Sequence, residues 1–213
     1  MHAHLGNHTV NRGSLNQRIS DANAVPTIAI ETQRGLQLRL LRAADLCALA
    51  DALADTTARD CQYFEGLGEA HVEAAGWLRW RQAGYEAGRA LALAAFDADD
   101  RLLGEVSLDE LRPADAPLSA TACRVGQLSY WVRASQRGQG HGVDMTRALC
   151  HYAFQHLGVS HIEMSISAAN QPSLQLAHRL GARQYGRGHA AAHACAPLAF
   201  RLHAGDLFPT GKV

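Results

Sequence analysis

The sequence predicts an α+β domain, a mixed and mostly antiparallel sheet of about seven strands with about four helices packed on it. Three features carry that prediction. The β-rich run Leu128-Ser-Tyr-Trp-Val132 passes through Arg133-Ala-Ser-Gln-Arg137 into Gly138-Gln-Gly140-His-Gly142. The chain then continues with apolar residues at helical spacing, Val143, Leu149, Tyr152 and Ala153, so strand, glycine loop and helix follow one another directly. Two helical segments come after the first alternating strand. A hairpin with Asp97-Ala-Asp-Asp100 at its turn supplies antiparallel pairing.

Length and composition set the frame. At 213 residues the chain is long enough for one domain with a sizeable core, and 47% hydrophobic against 19% charged residues is the balance of a soluble globular protein with no membrane-spanning stretch. Lysine plus arginine equals aspartate plus glutamate at 20 each, which argues against nucleic acid as a partner and for a discrete site. The five cysteines, Cys47, Cys61, Cys123, Cys150 and Cys195, are odd in number and form no C-x-x-C pair. A disulfide framework or a zinc knuckle is therefore not expected, and a reducing cytoplasm is.

In chain order, residues 1 to 33 are polar and lack apolar periodicity, so they read as a disordered tail, with His2, His4 and His8 solvated and no apolar core for a signal peptide. A single domain is expected over residues 34 to 213. Gly35 to Leu41 alternates Leu36, Leu38 and Leu40 against polar neighbours, a half-buried first strand. A helix follows from Ala43 to about Ala54, with Leu46, Leu49, Ala50 and Leu53 on one face, and a second runs from about Glu69 to Tyr85 with Val72, Trp77, Leu78 and Trp80. Between them, Asp55, Asp60 and Glu65 outnumber Arg59. That stretch is either a solvated connector or an acidic wall that draws a cationic amine.

Arg89 to Phe96 and Leu102 to Leu108 form the hairpin, and Leu111 to Thr121, with Pro113 and Pro117, reads as a loop. The strand Arg124 to Arg133 leads into the glycine loop and a helix that Gly158 stops. His161 to Ile166 is a strand, Gln171 to Leu180 a helix ended by Gly181, and strands at Arg183 to Gly188 and Pro197 to His203 close the sheet.

Glycines admit positive φ and close approach of a ligand, and the first turn of a helix offers unpaired N–H groups at the positive end of its dipole. Together they make an anion cradle suited to a pyrophosphate. A Walker loop would need Gly-Lys-Ser/Thr where Gly140-His-Gly142 stands, and a dinucleotide fingerprint spaces its glycines G-x-G-x-x-G rather than G-x-G-x-G. Arg137-Gly138-Gln-Gly140-His-Gly142 instead resembles the pyrophosphate loop of the GNAT N-acetyltransferases, which bind acetyl-coenzyme A. Leu128 to Val132, Asp144, Tyr152-Ala-Phe154, Asn170-Gln-Pro-Ser173 and Leu180-Gly-Ala182 follow the order and spacing of the Rim-type branch, which includes ribosomal-protein N-terminal acetyltransferases. The resemblance is strongest from Gly126 to Gly188. It departs from the family at Ser135, where Gln or Arg is common, at Ala182, usually Phe, and at Gln127, frequently acidic.

The resemblance implies a site. The fourth strand would splay from the fifth to admit the pantetheine arm along Leu128, Tyr130, Trp131 and Val132, and Arg137, Gly138, Gln139, Gly140, His141 and Gly142 would hold the pyrophosphate. Asn170 would help hold the arm, although Asn-x-x-Ser at a strand-to-helix junction is equally an N-cap. Ser173 would protonate or hydrogen-bond the leaving sulfur, as the Rim-type serine is placed to do, and Ala177 stands where many other family members carry a tyrosine acid. Gln127 cannot accept a proton at neutral pH, so Glu105 is the base candidate by strand order. Asp144 suits the helix dipole by position alone. His189 and His193, with no acidic ligand beside them, make no zinc site.

The implied activity is acetyl-CoA-dependent N-acetylation of a primary amine, a protein N-terminus or a small amine, by direct attack in a ternary complex in a monomer or homodimer. No metal is required. The competing reading is a CoA-binding module without turnover, for which Gln127 and Ala177 speak.

Overall fold

The computed structural model describes residues 28–56, 70–113, 124–187 and 196–207. Eight strands form one sheet: β1 (Ala29–Glu31), β2 (Gln37–Arg39), β3 (Leu91–Phe96), β4 (Leu102–Pro113), β5 (Arg124–Val132), β6 (Val159–Ile166), β7 (Arg183–Arg187) and β8 (Leu198–His203), in the order β1-β2-β3-β4-β5-β6-β8-β7. The helices are α1 (Leu46–Ala54), α2 (Ala70–Glu86), α3 (His141–His156), α4 (Gln171–Leu180) and the short α5 (Ala204–Leu207). Every strand pairing is antiparallel except β5 with β6.

Helices cover both faces of the sheet, which is why β3 is buried at all six positions rather than alternating. Beneath α3 and α4, Met145, Leu149, Ala153, Leu176 and Leu180 pack on Leu93, Val106, Leu128 and Ile162. On the other face, Leu49 and Leu53 of α1 and Trp77 and Leu78 of α2 pack on Phe96, Leu102 and Trp131. Each large aliphatic side chain so buried contributes about 1.5–3 kcal/mol relative to exposure.

Local chemistry sets the element ends. The Asp97 carboxylate accepts from the N–H groups of Asp99 (3.0 Å) and Arg101 (2.9 Å), closing the β3–β4 turn with Asp100 at φ 56°. In α4 the Asn170 side chain accepts from the Ser173 N–H, Pro172 lies in the first turn, and Gly181 at φ 87° ends the helix.

The parallel β5–β6 ladder runs from Arg124–Val159 to Gln127–Glu163 and stops there, although β5 continues to Val132 and β6 to Ile166. Over those last residues β6 stays paired with β8. The two central strands therefore part, leaving a wedge along Leu128–Val132, as the expected splay of fourth and fifth strands required; the additional strand β1 makes them β5 and β6.

The sheet exceeds expectation by one edge strand, β1. Residues 28 to 33, which the sequence assigns to the tail, hold β1 and a buried Thr32 and so belong to the domain. Ile28 and Ile30 alternate and pack against the core, a signal of two residues that is too short to mark a strand; pairing with β2 makes it one. β4 extends to Pro113, into the expected loop, and α5 follows β8. The first helix opens with a 3-10 turn at Ala43–Asp45. The tail histidines, Asp60 and Glu65, His189 and His193, and Cys61, Cys123 and Cys195 lie outside the described residues.

Candidate functional site

The loop leaving β5 is braced before it reaches its glycines. The Asp55 carboxylate at the end of α1 accepts from the Ser135 hydroxyl (2.6 Å), the Ser135 N–H (3.2 Å) and the Arg133 Nε (3.0 Å). The Ser135 hydroxyl, with the Arg133 guanidinium next, lowers the Asp55 pKa to about 2. This contact fixes where the loop starts.

Gly138 at φ 76° and Gly140 at φ 86° then turn the chain through the left-handed region, where a Cβ is strained. Gly140 is the N-cap of α3 and makes no side-chain cap. The first amide to return into the helix is that of Asp144, to the Gly140 carbonyl at 3.1 Å, so the N–H groups of His141, Gly142 and Val143 precede the helical ladder. Gly142 serves by its size: a Cβ there would lie 3.2 Å from the Tyr130 ring and 3.5 Å from Leu176. Helix α3 can thus sit close on β5 and α4. The Nδ1 of His141 is buried without a hydrogen-bond partner at the lip of the loop.

Left-handed glycines, a helix N-terminus open to a ligand and an orphaned imidazole nitrogen fit a diphosphate group. The wedge fits the rest of an extended, amide-bearing molecule, because the β5–β6 ladder ends at Gln127–Glu163 and the two strands part beyond it.

Several expected residues meet here. Leu128 and Val132 are buried toward α3 and α4. Tyr130, on the same face, brings its hydroxyl 3.0 Å from that of Ser173. Asn170 caps α4 at 3.1 Å from the Ser173 N–H, so the capping role expected of it is present. Others take different posts. Arg137 turns its Nε back to the Val132 carbonyl at 3.0 Å, and Gln139 bonds the Gln136 side chain at 3.2 Å. Trp131 packs on the opposite face with α1 and α2. Asp144 is buried and accepts the Thr32 hydroxyl, a tie beyond the dipole effect expected of it.

Glu105 does not join this group. It stands opposite Trp131 in the β4–β5 register, on the α1/α2 face, and is 2% exposed. Its Oε1 pairs with Arg81 at 2.7–2.8 Å and its Oε2 accepts from the Trp77 indole at 2.9 Å. Arg81 also holds Asp109 at 2.7 Å and stacks against Trp77 and Trp80. Burial raises the Glu105 pKa, and Arg81 and Trp77 draw it partly back. The open base that strand order allows does not match this geometry. Both oxygens are engaged in fastening α2 to β4.

Arg34 was not singled out from the sequence, yet its guanidinium lies over Gly140, with Nη1 3.2 Å from where a Cβ would stand. The hydroxyl of Tyr130 as a partner for Ser173 was likewise unforeseen. The only local signal for Arg34 is its place before Gly35, a turn residue at φ 81°. Cys150 supplies no nucleophile: burial pushes its thiol up to about 12.

The family model for the acetyltransferase (GNAT) domain matches residues 35–183. Solved structures share the fold at low sequence identity. A provisionally assigned ribosomal-protein-serine acetyltransferase from Vibrio cholerae has a TM-score of 0.69 at 23% identity, covering 84% of this chain and 99% of that one. Mycobacterium smegmatis RimJ in complex with CoA-disulfide gives 0.67 at 20% identity over 85% and 88% of the two chains. RimL, a ribosomal α-N-protein acetyltransferase in complex with coenzyme A, gives 0.67 at 16% over 83% and 98%. No curated protein matches the chain in sequence.

Proposed function

The chain belongs to the acetyltransferase (GNAT) family, and from that premise we propose that it transfers the acetyl group of acetyl-CoA to a primary amine, with a protein N-terminus as the favoured acceptor. The observation that carries this reading is the parting of β5 from β6 beyond Gln127–Glu163, with the glycine cradle at the far end of β5 and the Tyr130–Ser173 pair beside it. The fold shared with RimL, named as a ribosomal L7/L12 α-N-protein acetyltransferase, and with the Vibrio cholerae protein provisionally named as a ribosomal-protein-serine acetyltransferase favours a protein acceptor over a small amine. The cytoplasm is the corresponding setting.

Acetyl-CoA supplies the activated thioester. In this reading the N–H groups at the start of α3 hold its pyrophosphate, the end of β5 that has parted from β6 aligns its arm, and a β5 N–H stabilises the carbonyl oxygen as charge develops there. The amine nitrogen bonds to the carbonyl carbon as the C–S bond breaks. Ser173, oriented by Tyr130, hydrogen-bonds or protonates the departing sulfur. The ammonium proton leaves to water before attack, since Glu105 is committed to Arg81 and Trp77. Alignment then provides most of the catalysis.

An acceptor panel assayed by free-thiol release tests the proposal: peptides with different N-terminal residues, a polyamine and an aminoglycoside, each with acetyl-CoA. Release with peptide α-amines is expected. A protein that binds CoA but releases thiol with no amine would be a CoA-binding module without turnover, the reading that the engaged Glu105 and the buried Ala177 favour.

A further inference from the structure

Arg34 precedes the first residue of the glycine loop by more than a hundred positions, and the β1–β2 turn brings it onto that loop. The turn is tightly built. Thr32 N–H donates to the Leu36 carbonyl at 2.9 Å, Gly35 N–H to the Thr32 carbonyl at 3.1 Å, and Leu36 N–H to the Thr32 hydroxyl oxygen at 3.0 Å. Gly35 at φ 81° lets the chain reverse within these few residues. Arg34 is at the tip.

The turn is also fastened to the cradle helix. The Thr32 hydroxyl accepts from Leu36 and donates to the Asp144 carboxylate, and both side chains are buried, at 6% and 8% exposure. Asp144 lies in the first turn of α3, and its own N–H bonds the Gly140 carbonyl. A two-sided hydroxyl between a turn and a helix N-terminus sets the position of one against the other. It places the Arg34 guanidinium over Gly140, and among the described residues no carboxylate pairs with that guanidinium.

We propose that Arg34 is a phosphate-binding residue of the cofactor site, held by the Thr32–Asp144 latch so that it closes over a diphosphate resting on the Gly140 end of the cradle. The inference rests on the acetyl-CoA reading above. A guanidinium offers planar, paired N–H donors that match phosphate oxygens, and the backbone N–H groups of His141, Gly142 and Val143 face the same ligand from the helix side. The diphosphate, rather than the 3′-phosphate of CoA, is the assigned partner because Arg34 stands over the N-cap where those amides converge.

Titration calorimetry on the full chain tests this, with CoA and with dephospho-CoA, which lacks the 3′-phosphate, at low and high salt. Arg34→Ala should weaken both ligands about tenfold, the worth of one charge-assisted hydrogen bond at a solvent-facing site, and the deficit should shrink as salt rises. Thr32→Val, which keeps Arg34 but cuts the latch, should weaken both by a smaller factor. Arg34 is exposed, so its loss should leave the melting temperature unchanged. Wild-type affinity in Arg34→Ala for both ligands overturns the inference and leaves the acetyl-CoA reading standing. A deficit seen with CoA but not with dephospho-CoA overturns the diphosphate assignment. A wild-type protein that binds neither ligand removes the acetyl-CoA reading and this one with it.

Discussion

The hydroxyl oxygens of Tyr130 and Ser173 lie 3.0 Å apart and join the splayed end of β5 to the first turn of α4. The Tyr130 ring is held against the α3 backbone at Gly142, and the Ser173 N–H is held by Asn170. Two rigid elements thus set one hydrogen bond beside the wedge. If this pair serves the leaving sulfur, Ser173→Ala should lower kcat at least tenfold and Tyr130→Phe severalfold, with CoA affinity near wild type in both. The double variant should be no slower than Ser173→Ala, because tyrosine acts through the serine. Steady-state kinetics with calorimetric CoA binding measure this; multiplicative losses would show that the two hydroxyls act independently.

Gly140 needs its missing side chain twice over, for a φ of 86° and for the space that Arg34 enters. Gly140→Val should weaken CoA binding at least tenfold, about 1.4 kcal/mol. Calorimetry on a variant with a native circular-dichroism spectrum checks it. Unchanged affinity would mean that the diphosphate is held elsewhere.

Glu105 invites a prediction about stability rather than rate. Removing one partner of a buried ion pair leaves the other charge uncompensated, at a cost of about 3–5 kcal/mol. Asp109 and Ser107 still contact Arg81, so Glu105→Gln should fall at the low end of that range and Glu105→Ala at the high end. If Glu105 is not the base, the pH–rate profile of Glu105→Gln should keep the wild-type shape and follow the acceptor's own ionisation, rising through roughly pH 8 for an α-amine. Loss of that rise in the variant alone would restore Glu105 as the base. Denaturant melts and pH–rate profiles on one acceptor separate the two.

What was legible in the sequence is what local spacing determines. Asn170 and Gly181 mark the ends of α4, the alternation of Leu36 with Leu38 marks a strand with one buried face, and the run of glycines marks the cradle. Contacts between distant segments were not legible. Strand order turned Glu105 inward, but nothing near it shows that Trp77 and Arg81, 28 and 24 residues earlier, would occupy both its oxygens. Helical periodicity assigns those two residues to a face without saying what they meet. The Thr32–Asp144 bond spans 112 residues, and without it the short stretch around β1 resembles the end of a tail. Arg34 inherits its position from that bond, so it too was invisible.

The Asp55 brace makes one stretch of the pH–stability curve predictable. Its folded-state pKa is lowered to about 2 from an ordinary 3.8, chiefly by the Ser135 hydroxyl and then by Arg133. A depressed carboxylate contributes stability that is fully present above the unfolded value and is lost as pH falls through the folded one. Wild type should therefore melt higher than Asp55→Asn at neutral pH, and the gap should begin to narrow below about pH 4 and close near pH 2. Because Asp55 also fixes the start of the glycine loop, Asp55→Asn should weaken CoA binding modestly at pH 7. Parallel thermal melts of the two proteins from pH 7 to pH 2 decide the matter: a gap independent of pH would show that the Asp55 contacts act through shape rather than charge.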